Sequence, residues 1–242
     1  MKKRLIAFDL DGTLTQHKSP LSEECRAVLD RLREAGYTLL MVGAGQCRRI
    51  YDQMGEYPID IIGNYGMQYA TAADGAFHLV SDAVLPCDRE MAEERVRILR
   101  EKHGFTDYAG GSVEFHPSGC LTFAILGTAA KLPEKLAFDP DRSRRRAIYD
   151  EVSAAFPEYT VFVGGTSSFD MAPRPYDKYR ALADYCKEHG YAHEEVLFVG
   201  DDYGLGGNDE AVYRSDIDFL EIDDYRTTPA KLSALLLRCD GE

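Results

Sequence analysis

The chain has 242 residues, 45% of them apolar, enough for one large or two modest domains with a buried core. With 28 basic against 41 acidic residues and a formal net charge of -13, its overall field repels nucleic acid and anionic membranes. Neither is therefore expected as a partner, and a small anionic substrate needs a local cationic pocket. Cysteines at 25, 47, 87, 120, 186 and 239 show no C-x-x-C spacing or histidine pattern, which argues against a zinc site or redox pair and for reduced thiols in a cytoplasmic protein.

The opening MKKRLIAFDL is basic and then apolar, but Asp9 interrupts the run too soon for a secretory segment. No run approaches the ~18 apolar residues that suggest a membrane span. Residues 4–9, RLIAFD, predict a buried strand ending in the turn residues of DGT. Ser22 followed by EECRAVLDRLREAG, with apolar residues at 25, 28, 29 and 32 and Gly36 as the stop, predicts an amphipathic helix. YTLLMVGAG predicts a second buried strand running into a glycine turn, QCRRIYDQMG a short helix, and IDIIGNYG a third strand. This alternation predicts an α/β fold, a Rossmann-like doubly wound parallel sheet with ligands beyond the carboxyl ends of its strands.

The pattern changes between residues 82 and 174. A helical segment (88–103), strands SVEFHP and CLTFAIL about a Ser-Gly turn, the amphipathic DRSRRRAIYDEVSAAF, and a hairpin of YTVFVGG and TSSFDMAP predict an inserted α+β cap domain with an antiparallel sheet. The basic run DRSRRR reads as a charged helix start on a solvated face. DKYRALADYCKEHG then predicts a helix, VLFVGDD a buried strand and IDFLEI a last short one. The expected division is a core of residues 1–81 and 175–242 around a cap at 82–174.

Several of these segment ends suit phosphate chemistry: Asp9 and Asp11, the turn Gly43-Ala44-Gly45, Asp201 with Asp202, and Lys178 opening a helix. Singly, each has an ordinary meaning: an Asx turn, a tight strand-to-helix turn, a surface lysine. Together and in order they complement one another. A hard Mg2+ ion between Asp9 and Asp201 would relieve their repulsion and accept a phosphate oxygen. Asp9 could attack phosphorus to form an aspartyl-phosphate, and Asp11, two residues on, could protonate the leaving oxygen and then activate water. Lys178 and the glycine turn could supply the positive charge and amide donors that the transferring group needs.

These residues, in this order, resemble the haloacid dehalogenase superfamily of phosphotransferases. FDLDGT looks like its first motif, with Asp9 as nucleophile and Asp11 as general acid and base, and Lys178 and VGDD look like its third and fourth. The resemblance implies Mg2+ held by the Asp9 side chain, the Asp11 main-chain carbonyl and Asp201, and identifies the insert as similar to the larger α+β type of cap. GGTSSFDMAPRPYDKYRAL and FVGDDYGLGGNDEAVY are similar, more closely, to parts of eukaryotic-type phosphomannomutases. That likeness implies Ser168 and Asp170 facing a sugar, and Asn208 and Asp209 supporting the metal loop.

Two departures bear on activity. Those mutases hold a distal phosphate with arginines, whereas here the core position falls near Lys18, and VEFHPSGCLTFAILGTAAKLPEK offers only His116, Lys131 and Lys135. Lysine lacks the two-pronged grip of a guanidinium, so retention of a bisphosphate intermediate is disfavoured relative to hydrolysis. The second motif, MVGAGQ, has no Ser or Thr hydroxyl for the transferring phosphoryl group, leaving the amides of Gly43, Ala44 and Gly45 as candidates. The expectation is a Mg2+-dependent phosphomonoester hydrolase acting on a small sugar phosphate. The alternatives are a phosphohexose mutase and a non-catalytic sugar-phosphate-binding protein. The expected partner is a small phosphorylated metabolite, and a homodimer is compatible with the chain.

Overall fold

The structure, a computed structural model, describes residues 3–72 and 74–239. These fall into two compact units. One takes the described residues up to Asp82, Lys178–Tyr203 and those from Asp209 onward; the other takes Ala83–Asp177 and Gly204–Asn208.

In the first unit β1 (Leu5–Phe8), β2 (Thr38–Val42) and β3 (Asp60–Gly63) alternate with α1 (Glu23–Glu34) and α2 (Cys47–Gln53), and β4 (Gln68–Thr71) and β5 (His78–Asp82) follow as a hairpin. The second unit holds α3 (Arg89–His103), β6 (Val113–Phe115), β7 (Leu121–Ala124), the short helices α4 (Leu132–Phe138), α5 (Ser143–Arg146) and α6 (Tyr149–Ala155), and the strands β8 (Tyr159–Phe162) and β9 (Ser168–Pro173). The chain returns to the first unit through α7 (Lys178–His189), β10 (Val196–Gly200), α8 (Glu210–Tyr213), β11 (Asp218–Glu221) and α9 (Thr228–Cys239).

The larger sheet has the order β11-β10-β1-β2-β3-β4-β5, parallel through β3, and so has the doubly wound core expected from the sequence. The unpredicted hairpin β4-β5 prolongs it in antiparallel fashion. Every residue of β1 and β10 is buried because both faces are covered. Alternation sends Ile6, Phe8, Met41 and Val199 to one face, against Leu29 and Leu32 of α1 and Leu232 of α9. Leu5, Ala7, Leu40 and Phe198 go to the other, against Leu182 and Cys186 of α7. Full burial of each such side chain stabilises by roughly 1.5–3 kcal/mol, and the parallel strands are pinned with their carboxyl ends on one edge.

The second unit is built on the antiparallel sheet β6-β7-β9-β8, with Val96 and Leu99 of α3 and Val152 of α6 packed on Phe123, Val161 and Phe169. Here the basic run departs from expectation. Arg144 is exposed, but Arg145 is wholly buried: its Nε donates to Asp139 Oδ2 at 2.8 Å, and its Nη1 donates to the carbonyls of Gly164 and Ser168. Asp139 accepts in turn from the amides of Arg144 and Arg145, so the ion pair ties the α4–α5 turn to the β8–β9 connection.

Burial alone would raise the Asp139 carboxyl, but the Arg145 guanidinium and the two amides hold it below the ordinary range. Replacing Arg145 with Met leaves that carboxylate buried and unpaired, so urea unfolding should show a loss of about 3–5 kcal/mol. A depressed folded-state value means that the Asp139 contribution is present above the unfolded value, near pH 4, and is lost as pH falls through the folded one. Asp139→Asn should therefore flatten the acid limb of the stability profile measured by denaturant midpoint.

Candidate active site

At the carboxyl end of β1 the Asp9 amide donates to Val199 O of the neighbouring strand, fixing the residue beside the end of β10. Lys178, the first residue of α7, is completely buried, and its Nζ donates to Asp9 Oδ1 at 2.6 Å and to Asp209 Oδ1 at 2.7 Å. Asp209 Oδ2 accepts the Asp202 amide at 3.1 Å, and the Asp209 amide donates to Asp202 O, so the carboxylate is braced within its own loop. Asp201 is oriented by Thr13 Oγ1, which donates to its Oδ1 at 2.9 Å. Carboxylate oxygens of Asp9, Asp201 and Asp209 all lie within 4.8 Å of one another. The predicted Asp9, Lys178 and Asp201 are thus brought together.

The Lys178 ammonium bridges Asp9 and Asp209, with the Asp201 carboxylate beside them. Burial, outweighing Lys178, pushes Asp9 up to about 6, and burial with the charges of Asp9 and Asp209 pushes Asp201 up to about 8. Burial would lower Lys178, yet Asp209 and Asp9 hold it above the usual lysine range. The cluster is deficient in positive charge and composed of hard oxygen donors, a set that fits a small divalent cation such as Mg2+. Gly12 is required here: with φ +102° its Cα faces Asp201, and an added Cβ would fall 2.4 Å from Asp201 Oδ2.

Asp11 is placed differently from Asp9. Its Oδ1 accepts from the Lys18 amide and from Gln53 Nε2, both at 2.7 Å, and its Oδ2 from Arg49 at 3.1 Å. Burial would raise it, but the hydrogen bonds from Gln53 and Lys18, with the nearby charges of Arg49 and His17, keep it below the ordinary carboxylate range. Lys18 therefore serves Asp11 through its backbone, at a left-handed φ of 55°.

The glycine turn is only partly available to an anion. The Gly43 amide donates to Ile62 O, continuing the β2–β3 ladder, and so is already satisfied, contrary to the expected phosphate contact. Ala44 and Gly45 follow, half-buried, and Gly45 O accepts from the Asn64 amide. An added Cβ on Gly45 would lie 2.2 Å from one Arg49 nitrogen and 2.5 Å from another, so the guanidinium occupies the space a side chain would take.

In the second unit, Thr122 Oγ1 donates to Asp170 Oδ1 at 3.0 Å, with His116 Nε2 3.1 Å from Thr122 and Ser168 Oγ 3.4 Å from Asp170. Burial raises the Asp170 carboxyl, and Thr122 and His116 oppose it. Gly164 is dictated by this group, since a Cβ there would sit 1.9 Å from Asp170 Oδ2. The predicted Ser168, Asp170 and His116 thus form one polar row. Lys131 is exposed and Lys135 half-buried, both outside it.

Sequence reasoning missed Arg49, Gln53, Thr13 and Thr122. Arg49 and Gln53 are four residues apart, one turn of α2, and that spacing is the signal that places them on one face.

Residues 100–228, more than half of the chain, match the family described as eukaryotic phosphomannomutase, and residues 6–108 match haloacid dehalogenase-like hydrolases. A phosphomannomutase of Saccharomyces cerevisiae is 28% identical over 226 residues, spanning 86% of this chain and 84% of its own. One from Schizosaccharomyces pombe is 27% identical over 229 residues, spanning 87% and 85%. Among solved structures, an IMP-bound, N-terminally truncated IMP-nucleotidase of Plasmodium falciparum superimposes with a TM-score of 0.68 at 13% identity, covering 98% of this chain and 68% of that one, a likeness of fold.

Lys178→Met removes the ammonium from between two buried carboxylates, and denaturant unfolding should show a loss of about 3–5 kcal/mol. Adding Asp209→Asn should recover part of it, because one stranded charge is then gone; strict additivity of the two losses would contradict the bridging role.

Proposed function

We propose that this chain, which belongs to the eukaryotic phosphomannomutase family among the haloacid dehalogenase-like hydrolases, moves a phosphoryl group from a sugar phosphate to Asp9 and then to water. The supporting observation is the Asp9–Lys178–Asp209 bridge with Asp201 beside it. Lys178 holds Asp9 Oδ1 and opposes the upward push of burial on the carboxyl, leaving its other oxygen to attack phosphorus as the ester bond breaks. Asp9 and Asp201 would hold Mg2+, whose chemistry when bound is to polarise the phosphoryl oxygens and offset the charge of the acidic cluster. Asp11 would give a proton to the leaving oxygen and then take one from the water that attacks the aspartyl-phosphate, releasing phosphate and restoring Asp9. The Asp11 carboxylate held by Gln53, Lys18 and Arg49 is suited to the second of these steps; the first requires it to turn from them and carry a proton.

Water is favoured as acceptor because the two arginines buried in the second unit are committed. Arg145 is paired with Asp139, and Arg100 donates to the carbonyls of Phe105, Ala124 and Ile125. The names of the relatives favour a second reading, transfer back to the sugar as in a phosphomannomutase.

With Mg2+ and a panel of sugar phosphates, the wild type should release inorganic phosphate and Asp9→Asn should release none above background. Given mannose 1-phosphate and a trace of bisphosphate activator, isomerised sugar without phosphate release would replace hydrolysis by the mutase reading. Saturating MgCl2 at about 100 times its dissociation constant should stabilise the wild type by roughly 2.7 kcal/mol in thermal unfolding, and Asp201→Asn should lose most of that gain.

A further inference from the structure

We propose that Arg49 makes the contact to the transferring phosphoryl group for which the turn after β2 carries no hydroxyl. The inference rests on the phosphoryl-transfer reading of this site. Its observation is the space above Gly45: guanidinium atoms of Arg49 lie 2.2, 2.5 and 2.7 Å from where a Cβ would be, so the group stands in the volume that a side chain at position 45 would fill. A side chain at position 45 would have to displace it. The guanidinium is anchored from one side, by Asp11 Oδ2 at 3.1 Å and Gln53 Oε1 at 2.7 Å, which engages two of its five N–H donors. The side chain remains 41% exposed, so the other donors are accessible to a ligand. Position 45 lies in the turn just past β2, and β2 pairs with β1, whose end carries Asp9, so the guanidinium stands near the strand ends where the phosphoryl group would be transferred. A planar fork suits two phosphoryl oxygens better than a single hydroxyl does, and its charge offsets an acidic cluster. The Gly43 amide, committed to Ile62, cannot supply this contact.

The test compares wild type, Arg49→Met, Arg49→Lys, Gly45→Ser and the Gly45→Ser/Arg49→Met double variant. The readouts are p-nitrophenyl phosphate turnover with Mg2+ and inorganic phosphate affinity by calorimetry, with circular dichroism to check folding. Arg49→Met should lower kcat/KM by about 100-fold. It should weaken phosphate binding by roughly tenfold, with Arg49→Lys falling between it and wild type. Gly45→Ser should impair the wild type, whose guanidinium it displaces, yet restore activity to Arg49→Met by supplying a hydroxyl in the vacated space. If Arg49→Met leaves phosphate affinity unchanged and Gly45→Ser does not rescue it, Arg49 is only a brace for Asp11 and the inference fails. That outcome leaves hydrolysis standing, whereas a wild type that neither turns over a phosphomonoester nor binds phosphate overturns both.

Discussion

The ammonium of Lys178, buried between Asp9 and Asp209, is the interaction on which the site depends. A lysine without exposure is tolerated only if its charge is matched nearby, and two carboxylates within 2.7 Å match it twice over. Its partners lie 169 and 31 residues away in sequence, so the bond closes only when β1, α7 and the loop after β10 have all reached their places. The parallel pairing of β1 with β10 brings Asp9 and Asp201 together, and the start of α7 inserts the cation beside them. Fold and site are therefore coupled through one charge.

That charge is insufficient for the carboxylates around it, and the deficit shapes the rest of the loop cluster. Asp9 and Asp201 are pushed upward while Asp11, a short way along the same loop, is held down. The difference lies in their surroundings: Asp11 accepts from a guanidinium, a side-chain amide and a backbone amide, whereas Asp9 and Asp201 repel each other beside the Lys178 ammonium. Two acids two residues apart are thus shifted in opposite directions by their neighbours, in a chain whose net charge of -13 makes each local cation matter.

Much of this was legible in the sequence where physics leaves a local mark. Continuous apolar runs such as LIAF and VLFVG announce strands covered on both faces, and the ordered Asp9, Asp11, Lys178 and Asp201 announce phosphoryl chemistry. The β5 strand HLVSD left no such mark, because every one of its residues is exposed and no apolar alternation is imposed on an edge with one neighbour. Arg145 was misjudged because a run of arginines is locally indistinguishable from a solvated face. What buries it is a carboxylate six residues earlier and carbonyls 19 to 23 residues later. Arg49 was hidden for a similar reason: the absence of a side chain at Gly45 is visible in the sequence, but not what fills the space.

The choice of acceptor can be argued from the second unit alone. An enzyme that returns a phosphoryl group to a sugar must grip a second phosphate while the intermediate turns, and that grip calls for uncommitted cations, preferably guanidinium forks. On this sheet the polar row runs His116, Thr122, Asp170, Ser168, with a half-buried carboxylate at its centre. Hydroxyls and a carboxylate exchange hydrogen bonds readily with the neutral hydroxyls of a sugar, but a carboxylate repels a phosphate dianion unless a stronger positive field overrides it. Arg100 and Arg145 direct their donors to backbone carbonyls and to Asp139, where they hold the unit together. Under the proposed hydrolysis, such a row would suit the uncharged part of a phosphorylated sugar better than it would suit a second phosphate.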